Sequence, residues 1–293
     1  MNVPTTVTEA APAKINLALA VTGPRPDGYH LIDTLAVFAE AGDRIEAAPA
    51  AGLSLNVTGP FSKNLTDPNS NLVIRAAEAL RRAAFGDNPC PGAANRLDKA
   101  LPVASGIGGG SADAAATLRA LNRLWALDWS LARLAELGVE LGADIPMCLV
   151  SRPLRARGIG EDIAPLTAFP ALNLVLVNPG VAVSTAEIFS ELGGRFSGAL
   201  PNPAGIGGLD AALDCMAITA NDLEAPAVRV APVISEVLNA LRADRHCLIA
   251  RMSGSGATCF GIYRESAAAE AAADAIAAAQ PGWWVTATRT GAV

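Results

Sequence analysis

The sequence predicts an α+β protein of two domains, and three observations predict it. At 293 residues the chain exceeds the usual size of one hydrophobic core. Its first half mixes period-two apolar segments with helical ones and sets a glycine-rich loop, Gly106-Ile-Gly-Gly-Gly110, ahead of an alanine- and leucine-rich run. Its C-terminal part follows a strand, helix, strand order that begins somewhere between Arg152 and Ala171. The division is expected as residues 1–165 and 166–293.

Val7 to Val21 reads as a strand that carries Lys14 and Asn16 on one face at a period of two. Pro24 to His30 is a turn-rich loop, Leu31 to Ala39 a second strand, and Arg44 to Val57 continues as strands separated at Pro49 and Gly52. Asn71 to Phe85 reads as a helix, Ala94 to Ala100 as a strand, and a further helix starts at Ser111. Leu131 to Leu141 is a short helix stopped by Gly142 and Pro146, which leaves Asp144 just past the stop. Gly158-Ile-Gly-Glu161 is a tight turn, Leu172 to Val177 a buried-type strand, and Ser184 to Leu192 a helix with Ser184 or Thr185 near its N-cap. Gly193 to Gly208 is rich in glycine and proline and reads as a long surface loop. Asn221 to Arg242 is mostly helical. Leu248 to Met252 and Ala257 to Tyr263 are strands around a second glycine turn, Ser253-Gly-Ser-Gly256, before a helix over Glu265 to Ala279 and a strand over Trp283 to Arg289.

Composition excludes several classes of function. With 51% hydrophobic and 17% charged residues the chain is an ordered globular protein, and its net charge of -6 argues against nonspecific nucleic-acid binding. No run of 18 apolar residues is present, and the short apolar run Ile15 to Val21 lacks a basic leader, so a cytoplasmic protein without membrane contact is expected. The five cysteines, Cys90, Cys148, Cys215, Cys247 and Cys259, lack metal-site spacing and read as reduced thiols. His30 and His246 alone offer little for a metal site or a Ser-His-Asp triad, and no protein metal site is expected. Only Lys14, Lys63 and Lys99 among the 22 basic residues are lysine, which suggests positions where a compact point charge is needed.

The glycine loop reads as a phosphate site. Glycines reach positive φ and let backbone N–H groups converge on an anion, and Ser111 and Asp113 then fall at the start of a helix whose first amides are unsatisfied. No Lys-Ser or Lys-Thr follows the glycines, so it is not a Walker A loop, and G-x-G-G-G-S misses the dinucleotide fingerprint. Taken alone, a glycine cluster before a helix also describes a flexible turn. Likewise Asp144 alone fits a turn residue bonding its own backbone, and Lys14 a snorkelling surface residue. Phosphoryl transfer explains all three together: phosphates are held, an Asp accepts the proton of the acceptor hydroxyl, and a Lys orients that Asp and stabilises negative charge.

Pro12-Ala-Lys14-Ile-Asn16-Leu, Pro102 to Ala116, Leu141-Gly-Ala-Asp144-Ile-Pro146 and Met252-Ser-Gly-Ser-Gly256-Ala resemble, in order, the motifs of the GHMP kinases. Within that superfamily, Pro26-Asp-Gly-Tyr29-His30, the Gly158 to Glu161 turn and Pro179-Gly-Val-Ala-Val-Ser-Thr185 are similar to the members that phosphorylate the 2-hydroxyl of 4-diphosphocytidyl-2-C-methyl-D-erythritol in the non-mevalonate isoprenoid pathway. The resemblance covers nearly the whole chain. It implies an N-terminal domain like domain 2 of ribosomal protein S5, a ferredoxin-like C-terminal domain, ATP with Mg²⁺ bridging its phosphates, and that small molecule as substrate.

It also implies roles. Asp144 would be the general base and Lys14 would hold it near the γ-phosphate. Lys99, Pro102, Val103, Ala104, Ser105, Gly106, Ile107, Gly108, Gly109, Gly110, Ser111 and Ala112 would serve ATP. Asn16 would contact the substrate, Tyr29 and Phe189 would stack on cytosine, His30 would bond its edge, Thr185 would lie beside the erythritol pocket, and Gly254 and Gly256 would line the far side. The chain departs from the family pattern in Val103-Ala104-Ser105, in Ser111-Ala112 for a common Ser-Ser pair, and in Met147-Cys148. All are small or apolar exchanges that bear only on loop conformation.

Overall fold

Each apolar pattern that the sequence offers becomes an element that buries it, and the computed structural model describes these elements over residues 6–65, 71–86, 88–203 and 205–291. The chain divides into two compact units, the first made of residues up to Ala13, Gly42–Val103 and Gly108–Ser151, the second of Lys14–Ala41, Ala104–Ile107 and the chain from Arg152. Two long strands, β1 (Val7–Pro24) and β2 (His30–Ala50), pair with each other and give residues to both units.

In the first unit β3 (Leu53–Thr58) runs parallel to β4 (Gly92–Asp98), which pairs antiparallel with Arg44–Ala50 of β2. Helix α1 (Leu72–Phe85) is capped by Asn71, whose side chain accepts from the Val73 amide at 2.9 Å. It packs on α2 (Gly109–Leu124), which also meets α4 (Ile145–Val150), while α3 (Leu131–Leu141) packs on α1 and α4. Alanine is the best helix former, and the fully buried Ala114, Ala115, Ala116 and Ala120 let neighbouring helices approach α2 closely.

In the second unit Ile32–Ala36 of β2 pairs with β5 (Leu154–Gly158), and β5 with β6 (Asp162–Pro165). A four-stranded antiparallel sheet follows, in the order β10 (Trp284–Arg289), β7 (Asn173–Asn178), β9 (Cys259–Tyr263), β8 (Cys247–Met252). Helices α5 (Thr185–Ser190), α6 (Leu209–Ala217), α7 (Glu224–Val230) and α8 (Val233–Ala243) separate β7 from β8, and α9 (Ser266–Ala279) separates β9 from β10. That order is the split β-α-β arrangement of a ferredoxin-like domain, with Val175, Val177, Ile234, Leu241, Cys259 and Ala272 in its core. Mixed helix and sheet in two units makes the chain α+β.

Three boundaries differ from the sequence reading, each for a local reason. Pro49 does not interrupt β2: it lies opposite Ala93, whose amide bonds the Gly52 carbonyl and whose carbonyl accepts from Asn95 Nδ2, so the absent N–H is not needed. The stretch after Asn221 breaks at Pro232, which keeps Ala231 out of the helical region and separates α7 from α8. Helix α2 starts at Gly109, two residues before Ser111, with Gly108 as its N-cap in the left-handed region.

A buried charge cluster explains that early start. Lys99, 2% exposed, donates from Nζ to Asp43 Oδ2 at 2.5 Å and to Asp113 Oδ2 at 2.8 Å, and Asp43 Oδ1 accepts from the amides of Ala100 and Leu101. A Cβ on Gly109 would stand 3.2 Å from Lys99 Nζ, so glycine is the residue that fits the first position of α2 beside the ammonium. Asp113 is thus one turn inside the helix and turned to Lys99, not toward the anion site as its place in the motif suggests. Burial pushes its carboxyl up to about 8 against the pull of Lys99, and its Oδ1 lacks a hydrogen-bond partner. Burial works to lower the Lys99 ammonium as well, but Asp113 and Asp43 outweigh it and raise its pKa.

Because Asp113 binds its proton more tightly in the folded chain than in the unfolded one, its contribution to stability is complete below about pH 4 and is lost as the pH rises through about 8. Lys99, raised above its ordinary value, loses its contribution only above about pH 10.5. Urea unfolding at about pH 6 and pH 9 separates the two. The wild-type midpoint is expected to fall between them and that of Asp113→Asn to fall less than half as far; equal losses would assign the titration to another group.

Candidate active site

The part of β1 that lies in the second unit supplies two of the chemistry-bearing side chains. Lys14 is 4% exposed, which removes the snorkelling reading, and its amide donates to the Ile107 carbonyl at 2.9 Å. Asn16, 1% exposed, is held at two atoms: its backbone amide donates to Ser253 Oγ at 3.1 Å and its Nδ2 donates to Thr34 Oγ1 at 2.8 Å, while Thr34 donates onward to the Ala18 carbonyl. Its Oδ1 is buried without a hydrogen-bond partner. A buried amide oxygen left open costs free energy unless something donates to it, and a ligand hydroxyl or amine meets that need.

The glycine loop and the second glycine turn are packed main chain to main chain. The Thr258 amide donates to the Ser105 carbonyl at 3.1 Å and Ser253 Oγ donates to the Gly106 carbonyl at 3.2 Å. Gly106 has φ +73, and a Cβ there would lie 2.5 Å from the Gly256 carbonyl oxygen. Gly254, with φ +54, faces back to the Gly106 carbonyl at 2.7 Å and to Asn16 Oδ1 at 3.3 Å from the position of a Cβ. The segment is therefore a fixed structure and not a flexible turn. Lys14, Asn16, Ser105, Gly106, Ile107, Gly254 and Gly256 lie together in the second unit.

In the same unit, Thr185 opens α5 behind its N-cap Ser184 and shares a 2.9 Å hydroxyl contact with Ser255. The turn before β2 is closed by the Arg25 amide on the Tyr29 carbonyl at 2.7 Å and by an Arg25–Asp27 ion pair, which holds the Asp27 carboxyl below its usual range. Tyr29 is left 58% exposed. His30 stacks on Phe189, ring centroids 4.9 Å apart and planes 25° from parallel, and meets Phe196 at 6.1 Å and 44°.

The first unit holds the remaining residues. Pro102 and Val103 follow the Lys99 cluster, and Gly108, Gly109, Gly110, Ser111 and Ala112 form the start of α2. No side chain caps that start, so its first amides and the positive end of the helix dipole are open to an anion. Lys99 itself has its ammonium engaged by two carboxylates. Asp144 is half-buried at the N-cap position of α4, a helix without a side-chain cap. No group of three or more His, Cys, Asp or Glu side chains that could hold a metal occurs among the described residues, and none of their helices is long and apolar enough to cross a membrane.

The sequence reading missed Thr34, which orients Asn16, Asp43, which holds Lys99, and Phe196. Only Phe196 left a signal: an aromatic residue in a glycine-rich loop of a chain with 4% aromatics.

Comparison with known proteins extends this geometry. Residues 71–152 match the GHMP kinases N terminal domain and residues 205–282 the GHMP kinases C terminal domain. A Cereibacter sphaeroides protein named 4-diphosphocytidyl-2-C-methyl-D-erythritol kinase is 51% identical over 286 residues, 97% of this chain and 99% of that protein. An Agrobacterium fabrum protein of the same name is 51% identical over 290 residues, 98% of this chain and 97% of that one. A crystal structure of 4-(cytidine 5'-diphospho)-2C-methyl-D-erythritol kinase, 34% identical, aligns over 97% of this chain and 99% of its own with a TM-score of 0.78. Matched end to end in sequence and fold, the chain belongs to the 4-diphosphocytidyl-2-C-methyl-D-erythritol kinase family, ATP-dependent small-molecule kinases built from the two GHMP kinase domains.

Proposed function

We propose that the chain transfers the γ-phosphoryl group of ATP to the 2-hydroxyl of 4-diphosphocytidyl-2-C-methyl-D-erythritol, in the cytoplasm and on the non-mevalonate route to isoprenoids. The observation that carries the substrate is the aromatic group on one unit, exposed Tyr29 followed by His30 stacked on Phe189, in a chain with few aromatics. An aromatic face accepts any base, and a polar edge selects one. Tyr29 and Phe189 stack the cytosine and His30 bonds its edge. Asn16 offers its open Oδ1 to the substrate, and Thr185 with the Gly254 and Gly256 turn borders the sugar-alcohol part.

Asp144 takes the proton of the 2-hydroxyl as that oxygen bonds to the γ-phosphorus and the bond to the ADP oxygen breaks. Lys14 orients Asp144 and offsets charge on the transferring group. Lys99 and residues Pro102 to Ala112 serve ATP, with the amides at the start of α2 on its phosphates. Mg²⁺ supplies charge neutralisation on those phosphates. The net charge of -6 supports a partner list of small molecules and no nucleic acid. The family matches at 71–152 and 205–282 support domains at 1–165 and 166–293.

ADP release with Mg-ATP and 4-diphosphocytidyl-2-C-methyl-D-erythritol, run beside homoserine, mevalonate and galactose, tests the substrate. Turnover confined to the cytidyl compound is expected; turnover with another acceptor would keep the superfamily and overturn the pocket. In the same assay Asp144→Asn is expected to lower kcat by about 10²-fold or more, and near-wild-type kcat would remove the base role. Tyr29→Ala is expected to raise KM for the cytidyl substrate about tenfold, the loss of one base stack, with KM for ATP unchanged; equal effects on both would sink the assignment.

A further inference from the structure

The segment Gly193 to Leu200 is irregular in conformation but is tied on both sides of one aromatic ring. The Ser197 amide donates to the Val21 carbonyl at 2.9 Å, and Ser197 Oγ donates to Asp222 Oδ1 at 3.0 Å, while Asp222 Oδ2 accepts from the Val21 amide at 2.7 Å. Three residues on, Leu200 is held twice: its amide donates to Asp33 Oδ2 at 2.9 Å and its carbonyl accepts from Arg155 Nη2 at 2.8 Å. Asp33 and Arg155 form a buried two-point pair of their own, with Nε to Oδ1 at 2.8 Å. Upstream, the Arg195 amide bonds the Leu192 carbonyl at 3.2 Å. Phe196 sits between these ties, 40% exposed, with its ring tilted 44° to the imidazole of His30 and the two centroids 6.1 Å apart.

An exposed loop phenylalanine with no task is a solubility cost, and this one is held in place by backbone bonds on either side. His30 has Phe189 stacked on its face and Phe196 tilted against it, so its ring plane is set by two neighbours. A ring fixed in plane presents its nitrogen edge in one direction. A site built to bond a specific edge discriminates strongly only when the bonding group cannot turn to suit a different edge.

We infer that Phe196 is a specificity-determining residue, a positioning residue that fixes the His30 imidazole so that the pocket distinguishes cytosine from uracil. This rests on the pyrimidine pocket proposed above. Cytosine and uracil have similar faces and differ at the 4-position, an amino donor in one and a carbonyl acceptor in the other. Stacking on Tyr29 therefore contributes affinity to both, and the held imidazole contributes the difference.

Calorimetric titration of CDP and UDP into the wild type, Phe196→Ala, Phe196→Tyr and Tyr29→Ala tests it, with ATP titration as the control for folding. Phe196→Ala is expected to weaken CDP about tenfold and UDP less than about threefold, so that the preference shrinks, with ATP affinity unchanged. Phe196→Tyr is expected to restore the preference, and Tyr29→Ala to weaken CDP and UDP alike. An unchanged CDP-to-UDP ratio in Phe196→Ala, with CDP weakened in Tyr29→Ala, overturns the role of Phe196 and leaves the pocket standing. CDP binding unaffected by either variant overturns the pocket and this inference with it. Loss of ATP affinity in Phe196→Ala makes the residue structural and overturns the inference alone.

Discussion

A lysine ammonium buried between two aspartates sets the geometry at the start of α2. Lys99 cannot be left unpaired in an apolar interior, and Asp43 and Asp113 reach it from β2 and α2. Such clusters add little net stability relative to an apolar core, but removing one partner costs about 3–5 kcal/mol because a charge is left stranded. Their value lies in register. With the ammonium where it is, a Cβ on Gly109, the first residue of α2, would stand 3.2 Å from it, and Gly108, the N-cap before it, has no side chain to cap the helix. An uncapped helix start leaves amides that suit an anion.

The second unit reaches rigidity by a different route. Around Asn16 and the two glycine turns, the contacts run from backbone to backbone or through single hydroxyls: Ser253 serves both Asn16 and Gly106, and Thr34 serves Asn16 and Ala18. Short side chains lose little rotamer freedom when they are ordered, so a site built of them is inexpensive to hold in shape. The aromatic group around His30 is the exception. Its rings stand half-exposed or exposed, and their order comes from ties in the segments that carry them.

How much of this was legible in the sequence depended on the range of the interaction. The ferredoxin-like strands and α9 followed from short apolar runs and an alanine-rich helical stretch that are local, and so did a cap at Ser184 or Thr185, which the structure places at Ser184. The start of α2 was misjudged because the reason for Gly109 lies ten residues upstream at Lys99 and further still at Asp43. Pro49 looked like a break because the side chain that makes it tolerable, Asn95, belongs to another strand. The loop after Gly193 read as a free surface segment, and its glycines and prolines do leave it irregular. What the composition did not carry was the Asp33–Arg155 pair that holds Leu200 from 122 residues apart in sequence.

The scarcity of lysine has a practical side. Of the three lysines, Lys14 and Lys99 are 4% and 2% exposed, and only Lys63 is open to solvent. Amine-directed chemistry acts on a neutral, accessible amine, and the two buried ammonium groups offer neither the access nor, at Lys99, the neutral form. A dye, an affinity handle or a surface attachment made through lysine side chains will therefore sit at one defined position while the chain stays folded. The same property turns a second reactive lysine into a signal, since its appearance reports that the interior around one of the other two has opened.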